Sequence, residues 1–300
     1  MKKFFRFLNL RDESGAALVI VAISMVVLLG FTALVIDVGR LYSEKSNLQN
    51  ALDAAALAGA QGLKVSEAQA ITNAKEVAQS NGFPITETNL TVTSDSIRVT
   101  RNVMVPLTFA RVIGHNESEV GATAKAMAGH LRKANGITPI AVEESQIPNG
   151  TALTCFNPGG QQGNCGFVSI AGTGAKDLSE AIKNGSTYTV GNQIETEPGE
   201  MWGPVNTAID SLIKSDKDKP QCQAANTADK TCKRVINVVI TDTWVGADGR
   251  SVVNVVGFAA YWIEGFDKDK VLIGKFLERY KPGEIGDTDV GTLYGAKLVE

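Results

Sequence analysis

GAALVIVAISMVVLLGFTALVI, residues 15–36, runs for 22 residues without an ionisable side chain. At the α-helical rise it is about 33 Å long, enough to cross the roughly 30 Å hydrocarbon core of a bilayer. The 26 residues that follow, DVGRLYSEKSNLQNALDAAALAGAQG (37–62), contain no proline and repeat Leu41, Leu48, Leu52 and Ala55 at helical spacing,. One long helix is therefore expected, its first half in lipid and its second half outside. Lys2, Lys3, Arg6 and Arg11 precede the apolar run against only Asp12 and Glu13, which by the positive-inside rule makes residues 1–14 a cytoplasmic basic segment and puts the bulk of the chain outside the cytoplasm. A cleaved signal peptide shares this pattern. Its apolar core is about half as long, however, and the small-x-small string Ala56-Leu57-Ala58 lies far downstream inside the helical pattern,. A retained single-pass anchor of the cell (inner) membrane is the expectation.

Beyond the span, Ser43, Asn47, Ala51, Ala55 and Gly59 fall four apart and form a ridge of small side chains. Such a ridge lets another helix approach closely, so it is read as a helix packing interface, compatible with a homo-oligomer. Asp37, Arg40 and Glu44 stand one turn apart and read as a solvated, salt-bridged face.

The chain of 300 residues is 44% hydrophobic with a net charge of −3, and the four cations and two anions of residues 1–14 leave −5 for the remainder. A packed core is expected, and a mildly acidic, evenly mixed surface argues against nucleic acid as a partner. Four cysteines form two equally spaced pairs, Cys155 with Cys165 and Cys222 with Cys232. Outside the cytoplasm local disulfides are the favoured reading, while the two crossed connectivities satisfy the same count. Zinc ligation is disfavoured, because the spacing is not C-x2-C and the two histidines, His115 and His130, are remote in sequence from the cysteines,.

The pair Ser66 and Gln69 opens a second helix as a capping box, and Asn81-Gly82 with Pro84 closes it after Ser80. Residues 89–93 and 97–100 alternate around Ser94-Asp95-Ser96 and read as a hairpin, prolonged by Val103 and Val105. Residues 106–114 read as a short helix with Pro106 early and Gly114 after it, and Val120 to Met127 as a returning strand. HLRKANG (130–136) is polar and basic and reads as a linker. Beyond it come apolar runs at 140–142, 167–170, 235–240, 252–261 and 271–276, broken by turn signals and by one helix near 204–214,. The fold class expected is α+β: a transmembrane helix (15–36) continuing outward, a small α-β-β-α-β module completing 37–130, and a mainly β extracytoplasmic domain over 137–300.

The sequence offers few groups arranged for chemistry. The carboxylate pairs Asp216 with Asp218, Asp267 with Asp269 and Asp287 with Asp289 sit beside lysine or glycine and read as solvated turns. Asp242, at the end of an apolar strand in Ile240-Thr241-Asp242-Thr243-Trp244, is the most site-like carboxylate, and its simpler reading is an Asx turn closing a hairpin through Ala247-Asp248-Gly249-Arg250. Gly159-Gly160 and Gly172-x-Gly174 read as turns. No nucleophile elbow, P-loop, H-E-x-x-H or dinucleotide fingerprint occurs,. No catalytic residue, metal ligand or cofactor is assigned.

The anchor carries more than hydrophobicity. Arg11 and Gly15, the exit Asp37, Gly39, Arg40, then Leu48, Gln49, Asn50, Ala51 and Asp53 through Ala58 resemble the N-terminal Tad domain of the TadE/TadG-like proteins of Tad (tight adherence, Flp pilus-assembly) systems. The VPLTFARVIG segment, residues 105–114, and the strand after it resemble what commonly follows. The resemblance implies a non-enzymatic membrane protein of such an assembly or secretion system, with other pilus-assembly or envelope proteins as partners. It singles out Asp37, Gly39, Arg40, Gln49, Asn50 and Asp53 as the Tad-like motif. Two features depart from the family: Ile20 stands where a prepilin has Glu, and Asp177-Leu178-Ser179-Glu180-Ala181 lacks the last serine of a von Willebrand A metal site. The alternative is an extracytoplasmic ligand-binding domain or hydrolase, with Asp242 functional, that shares only the anchor.

Overall fold

The computed structural model describes residues 13–147, 152–153, 165–169, 175–196, 202–243, 251–268, 271–286 and 288–299. Helix α1, Glu13–Gly62, is unbroken from the apolar run into the folded body. It is the described helix long and apolar enough to cross a membrane. Its large side chains are exposed along the span, Leu18, Met25, Val26, Leu29 and Val35 each above 60%, whereas Leu48, Ala51, Leu52, Ala55, Ala56 and Ala60 are at or below 2%. The same helix is thus lipid-suited at one end and a core helix at the other.

Helix α2, Glu67–Ser80, packs back on α1. The Ser66 hydroxyl accepts from the Gln69 N–H at 3.0 Å, the N-cap half of the expected capping box, while the Gln69 side-chain amide donates to Asn73 Oδ1 at 2.7 Å,. Gly82, with φ at +84°, ends it and lets Phe83 N–H reach Ala78 O at 3.0 Å,. The two helices meet where both are small: a Cβ at Gly59 would sit 3.2 Å from both Ala70 O and Ala74 Cβ, and one at Gly62 would sit 2.6 Å from Ala70 Cα. Ala70, Ala74 and Ala78 supply the matching face of α2.

Strands β1 (Leu90–Val92) and β2 (Ser96–Pro106) form the expected hairpin. Strand β3, Glu117–Glu143, is the spine of the molecule. The helix expected over 106–114 is a single 3-10 turn, Ala110–Ile113, because Pro106 completes β2 and Leu107 N–H closes the ladder on Asn116 O. The linker expected over 130–136 is strand. Leu131, Ala134 and Ile137 are buried, and their spacing of three departs from strand alternation because the register shifts twice, between Leu131 and Lys133 against Gly283–Ile285 and between Ala134 and Ile137, where Gly136 has φ +63°,.

The remaining strands are β4 (Ala152–Leu153), β5 (Cys165–Phe167), β6 (Ser186–Thr189), β7 (Gln193–Glu195), β8 (Val235–Thr241), β9 (Val252–Phe266), β10 (Leu272–Leu277), β11 (Arg279–Tyr280), β12 (Gly283–Ile285) and β13 (Leu293–Leu298). The path of the sheet is β1-β2-β3-β8-β9-β10-β4. The distal half of β3 pairs in parallel with β8, which forms an antiparallel pair with β9. Period-2 alternation sends Ile236, Val238 and Ile240 to one face and Val239 to the other, with Ala259, Tyr261 and Ile263 opposed to Phe258 and Ala260 in the same way,. The first face is covered by α3 (Ala175–Asn184) and α4 (Trp202–Ser215). Helix α4 matches the expected helix. Helix α3 was not expected, although Leu178, Ala181 and Ile182 at i, i+3 and i+4 form its buried stripe,.

The chain then returns to its beginning. Strand β13 pairs with residues 126–130 of β3, and the Tyr280 hydroxyl donates to Ala60 O at 3.0 Å, satisfying a last-turn carbonyl of α1,. Cys222 and Cys232 form a disulfide, as local pairing anticipates. Its partner pair lies outside the description: Cys155 is not among the described residues, and Cys165 is described only as backbone.

Two predictions follow from this packing. Ala55→Leu and Gly59→Leu should each destabilise the full chain in nanodiscs by about 1–3 kcal/mol through overpacking, read as a lower thermal midpoint, while exposed Ser43→Leu stays within about 0.5 kcal/mol. Equal midpoints for all three would contradict the packing. Cys222→Ser with Cys232→Ser should cost about 2–3 kcal/mol by releasing a short loop, and unreduced mass spectrometry should return the 222–232 linked peptide.

Candidate functional site at the helix exit

Asp37, the first residue past the apolar run, is 4% exposed. Its Oδ1 accepts from Thr108 N–H at 2.8 Å, and its Oδ2 accepts from Phe109 N–H at 2.9 Å and Ala110 N–H at 2.7 Å. Three consecutive amides at the start of the 3-10 turn are the orphan donors of a helix N-terminus, and here the cap comes from a carboxylate 71 residues away. Gly114, at φ +93°, closes the other end, with His115 N–H donating to Ala110 O at 3.1 Å. The expected solvated salt bridge is therefore overturned at Asp37, whose oxygens are taken by backbone donors; Arg40 is exposed.

The next contacts lie along β3. Lys45 Nζ donates to Gly121 O, and Gln49 Nε2 donates to Thr123 O at 3.0 Å and to Asp53 Oδ1 at 2.8 Å. Residues four apart on a helix advance about 6 Å and residues two apart on a strand about 6.6 Å, so the two ladders stay in step. Val299 N–H then takes Lys125 O at 2.9 Å, and β13 takes over the pairing. The edge of β3 between its tip and β13 is thus covered by side chains of α1, which satisfies and protects it.

Of the Tad-like motif residues, Asp37, Gln49 and Asp53 make these contacts; Gly39, Arg40 and Asn50 are exposed. The small-residue ridge divides: Ala51, Ala55 and Gly59 are buried within this chain, and Ser43 and Asn47 are exposed. Lys45, the 108–110 amides and Tyr280 were not singled out in the sequence. The step of four through Lys45, Gln49 and Asp53 is the signal that marks that side of the helix, whereas nothing local marks the amides.

The residues weighed for chemistry are otherwise engaged. Asp242 Oδ2 accepts from Asn254 Nδ2 at 2.6 Å, and its Oδ1 accepts from the N–H groups of Thr243 and Asn254. Burial alone would raise this carboxyl, but the Asn254 and Thr243 donors outweigh it and hold it below the usual range,. It clamps β8 to β9; the turn expected at 247–250 lies outside the described residues. Asp216 is fully buried rather than solvated, with Lys219 Nζ at 2.7 Å and Arg234 N–H at 2.8 Å, while Asp218 is exposed. Asp267 accepts from Val271 N–H at 2.9 Å. Asp269, Asp287, Gly159-Gly160 and Gly172-x-Gly174 lie outside the described residues.

Asp229 lies within metal-ligand reach of Cys222 and Cys232, but those sulfurs are joined to each other. His115 is exposed, and His130 packs against Tyr294 with ring centroids 4.7 Å apart and the planes tilted by 44°. An open cleft beside the end of α1 is lined by Lys64, Asn226, Arg279, Tyr280 and Tyr294. Two of its polar groups are already committed, Tyr280 to Ala60 O and Arg279 to Ala228 O. Among the described residues, the arrangement that draws distant segments onto the Tad-like residues is the joint between α1 and the β2–β3 hairpin.

No curated protein and no solved structure matches the chain significantly. A family model does match, over the helix that builds this joint: residues 15–62 are similar to the family described as putative Flp pilus-assembly TadE/G-like.

Proposed function

We propose that this chain is a non-enzymatic, single-pass membrane protein of a Tad/Flp-type pilus assembly or secretion system. Its N-terminus is cytoplasmic and its β-rich body extracytoplasmic, and it works as a rigid pedestal that presents that body to other envelope or pilus proteins. The observation that carries the reading is the continuity of α1. The helix suited to the bilayer is also the core helix of the folded body, fixed by Asp37, Lys45 and Gln49 on one side and by the Gly59 and Gly62 crossing on another. An enzyme or binding domain that needs only to be held at the membrane can be held by a flexible linker, whereas a structural component that transmits position or force depends on a rigid joint. The family match over residues 15–62 supports the same reading, and the fold alone would not.

In a host that builds Flp-type pili, deleting the gene should abolish or shorten the fibres. The full chain should restore them, and residues 37–300 exported without the span should not. Normal pili after deletion would contradict the proposal. The joint has its own test. In Asp37→Ala the amides of Thr108, Phe109 and Ala110 should lose hydrogen-exchange protection on the order of tenfold or more, while those of β8 and β9 stay unchanged; unaltered protection at 108–110 would remove Asp37 from the joint.

A further inference from the structure

The tip of the β2–β3 hairpin has a property that the joint does not use. Phe109, Val112 and Ile113 are 42%, 88% and 77% exposed, three large apolar side chains within five residues. A soluble surface rarely gathers such residues on one turn without a partner.

Their height relative to the anchor follows from two sets of contacts. Asp37 holds the 108–110 amides directly, at the first residue beyond the apolar run. Lys45 on Gly121 O and Gln49 on Thr123 O show that β3 rises away from the membrane alongside α1, so the hairpin points its tip toward the bilayer. Counting down from Gly121 at about 3.3 Å per strand residue puts Asn116 about 17 Å below it. That drop equals about eleven helical residues, which is the level of residues 34–37. Val112 and Ile113 therefore lie where the apolar run ends. Arg111 stands between Phe109 and Val112, with His115 just after, and both are exposed, as suits contact with lipid phosphates. On α1 itself, Tyr42 is 77% exposed just past the exit, an interfacial aromatic position.

We propose that the 109–113 turn is a second membrane contact, with Phe109, Val112 and Ile113 seated in the headgroup and upper acyl region of the leaflet through which α1 emerges. The occupant is the lipid surface, and the argument is continuity with the span. The turn is pinned at the boundary by the anchor helix, and its apolar side chains extend the anchor's own lipid-facing surface. Two contacts fix the tilt and rotation of a helix that one span alone leaves free. This deepens the anchoring role above and rests on α1 crossing the bilayer.

The test uses nitroxide labels on the full chain in vesicles of phosphatidylethanolamine and phosphatidylglycerol, each at a single added cysteine: Val112→Cys, Ile113→Cys, Leu28→Cys within the span and Thr227→Cys on the distal body. Collision with oxygen is compared with collision with a water-soluble nickel chelate. The labels at 112 and 113 should show an oxygen-to-nickel ratio roughly threefold or more above that at 227, on the side of the label at 28. A ratio at 112 and 113 equal to that at 227, with 28 in lipid, overturns the proposal and leaves the anchor standing. Shielding of 112 and 113 from both reagents marks a protein contact and overturns it too. If the label at 28 is itself open to nickel, the anchor reading fails with it.

Discussion

A helix that serves both as a membrane span and as the core of a water-exposed fold must change the size of its side chains along its length. On α1 Leu48 and Leu52 still fill the buried face, and beyond them Ala55, Ala56, Gly59, Ala60 and Gly62 bring the helix backbone close to α2 and the sheet. Close approach is the controlling constraint. A Cβ at Gly59 would come within 2.7 Å of Ile97 Cδ1 as well as crowding α2, so the position of the helix determines where both α2 and the β2–β3 hairpin lie. Because packing of this kind tolerates little change in volume, the joint is stiff without a large interface.

The stiffness is carried outward by β3. Its first third is held by α1 through Lys45 and Gln49, its middle by β13, and its last third forms the central sheet with β8. The return of β13 to residues 126–130 closes the circuit, so that the last described strand stabilises the module that packs on α1. The polar contacts found in the distal body, Asp216 with Lys219 and Arg234, Arg234 over Trp262, and Asp242 with Asn254, hold strands and turns in register. They are spent on the fold.

Much of this was legible in the sequence, where local physics and the tertiary outcome coincide. The long helix, apolar enough in its first half to cross a membrane, follows from an unbroken apolar run and a proline-free repeat. Helix α2 followed from Ser66 and Gly82, and β8 and β9 from β-branched runs without charge. Three features were hidden for identifiable reasons. Residues 130–136 read as a linker because irregularities at 131–133 and 134–137 destroy the period-2 signal, leaving polar residues outward and Leu131, Ala134 and Ile137 inward at an irregular step. Helix α3 is short and follows a glycine-rich stretch, so its stripe of three apolar residues was outweighed. The burial of Asp37 had no local sign at all: an acid one turn from Arg40 reads as a surface pair until the chain returns 71 residues later to donate three amides.

Rigid continuity from the apolar half of α1 into the β-rich body can be measured by pulsed electron-electron resonance on the full chain in nanodiscs, with one nitroxide at Leu28 and one at Lys230 on the distal body. A single narrow distance distribution that broadens in Asp37→Ala is the predicted result. A broad distribution in the unaltered protein, like that of two bodies on a flexible tether, would contradict the account.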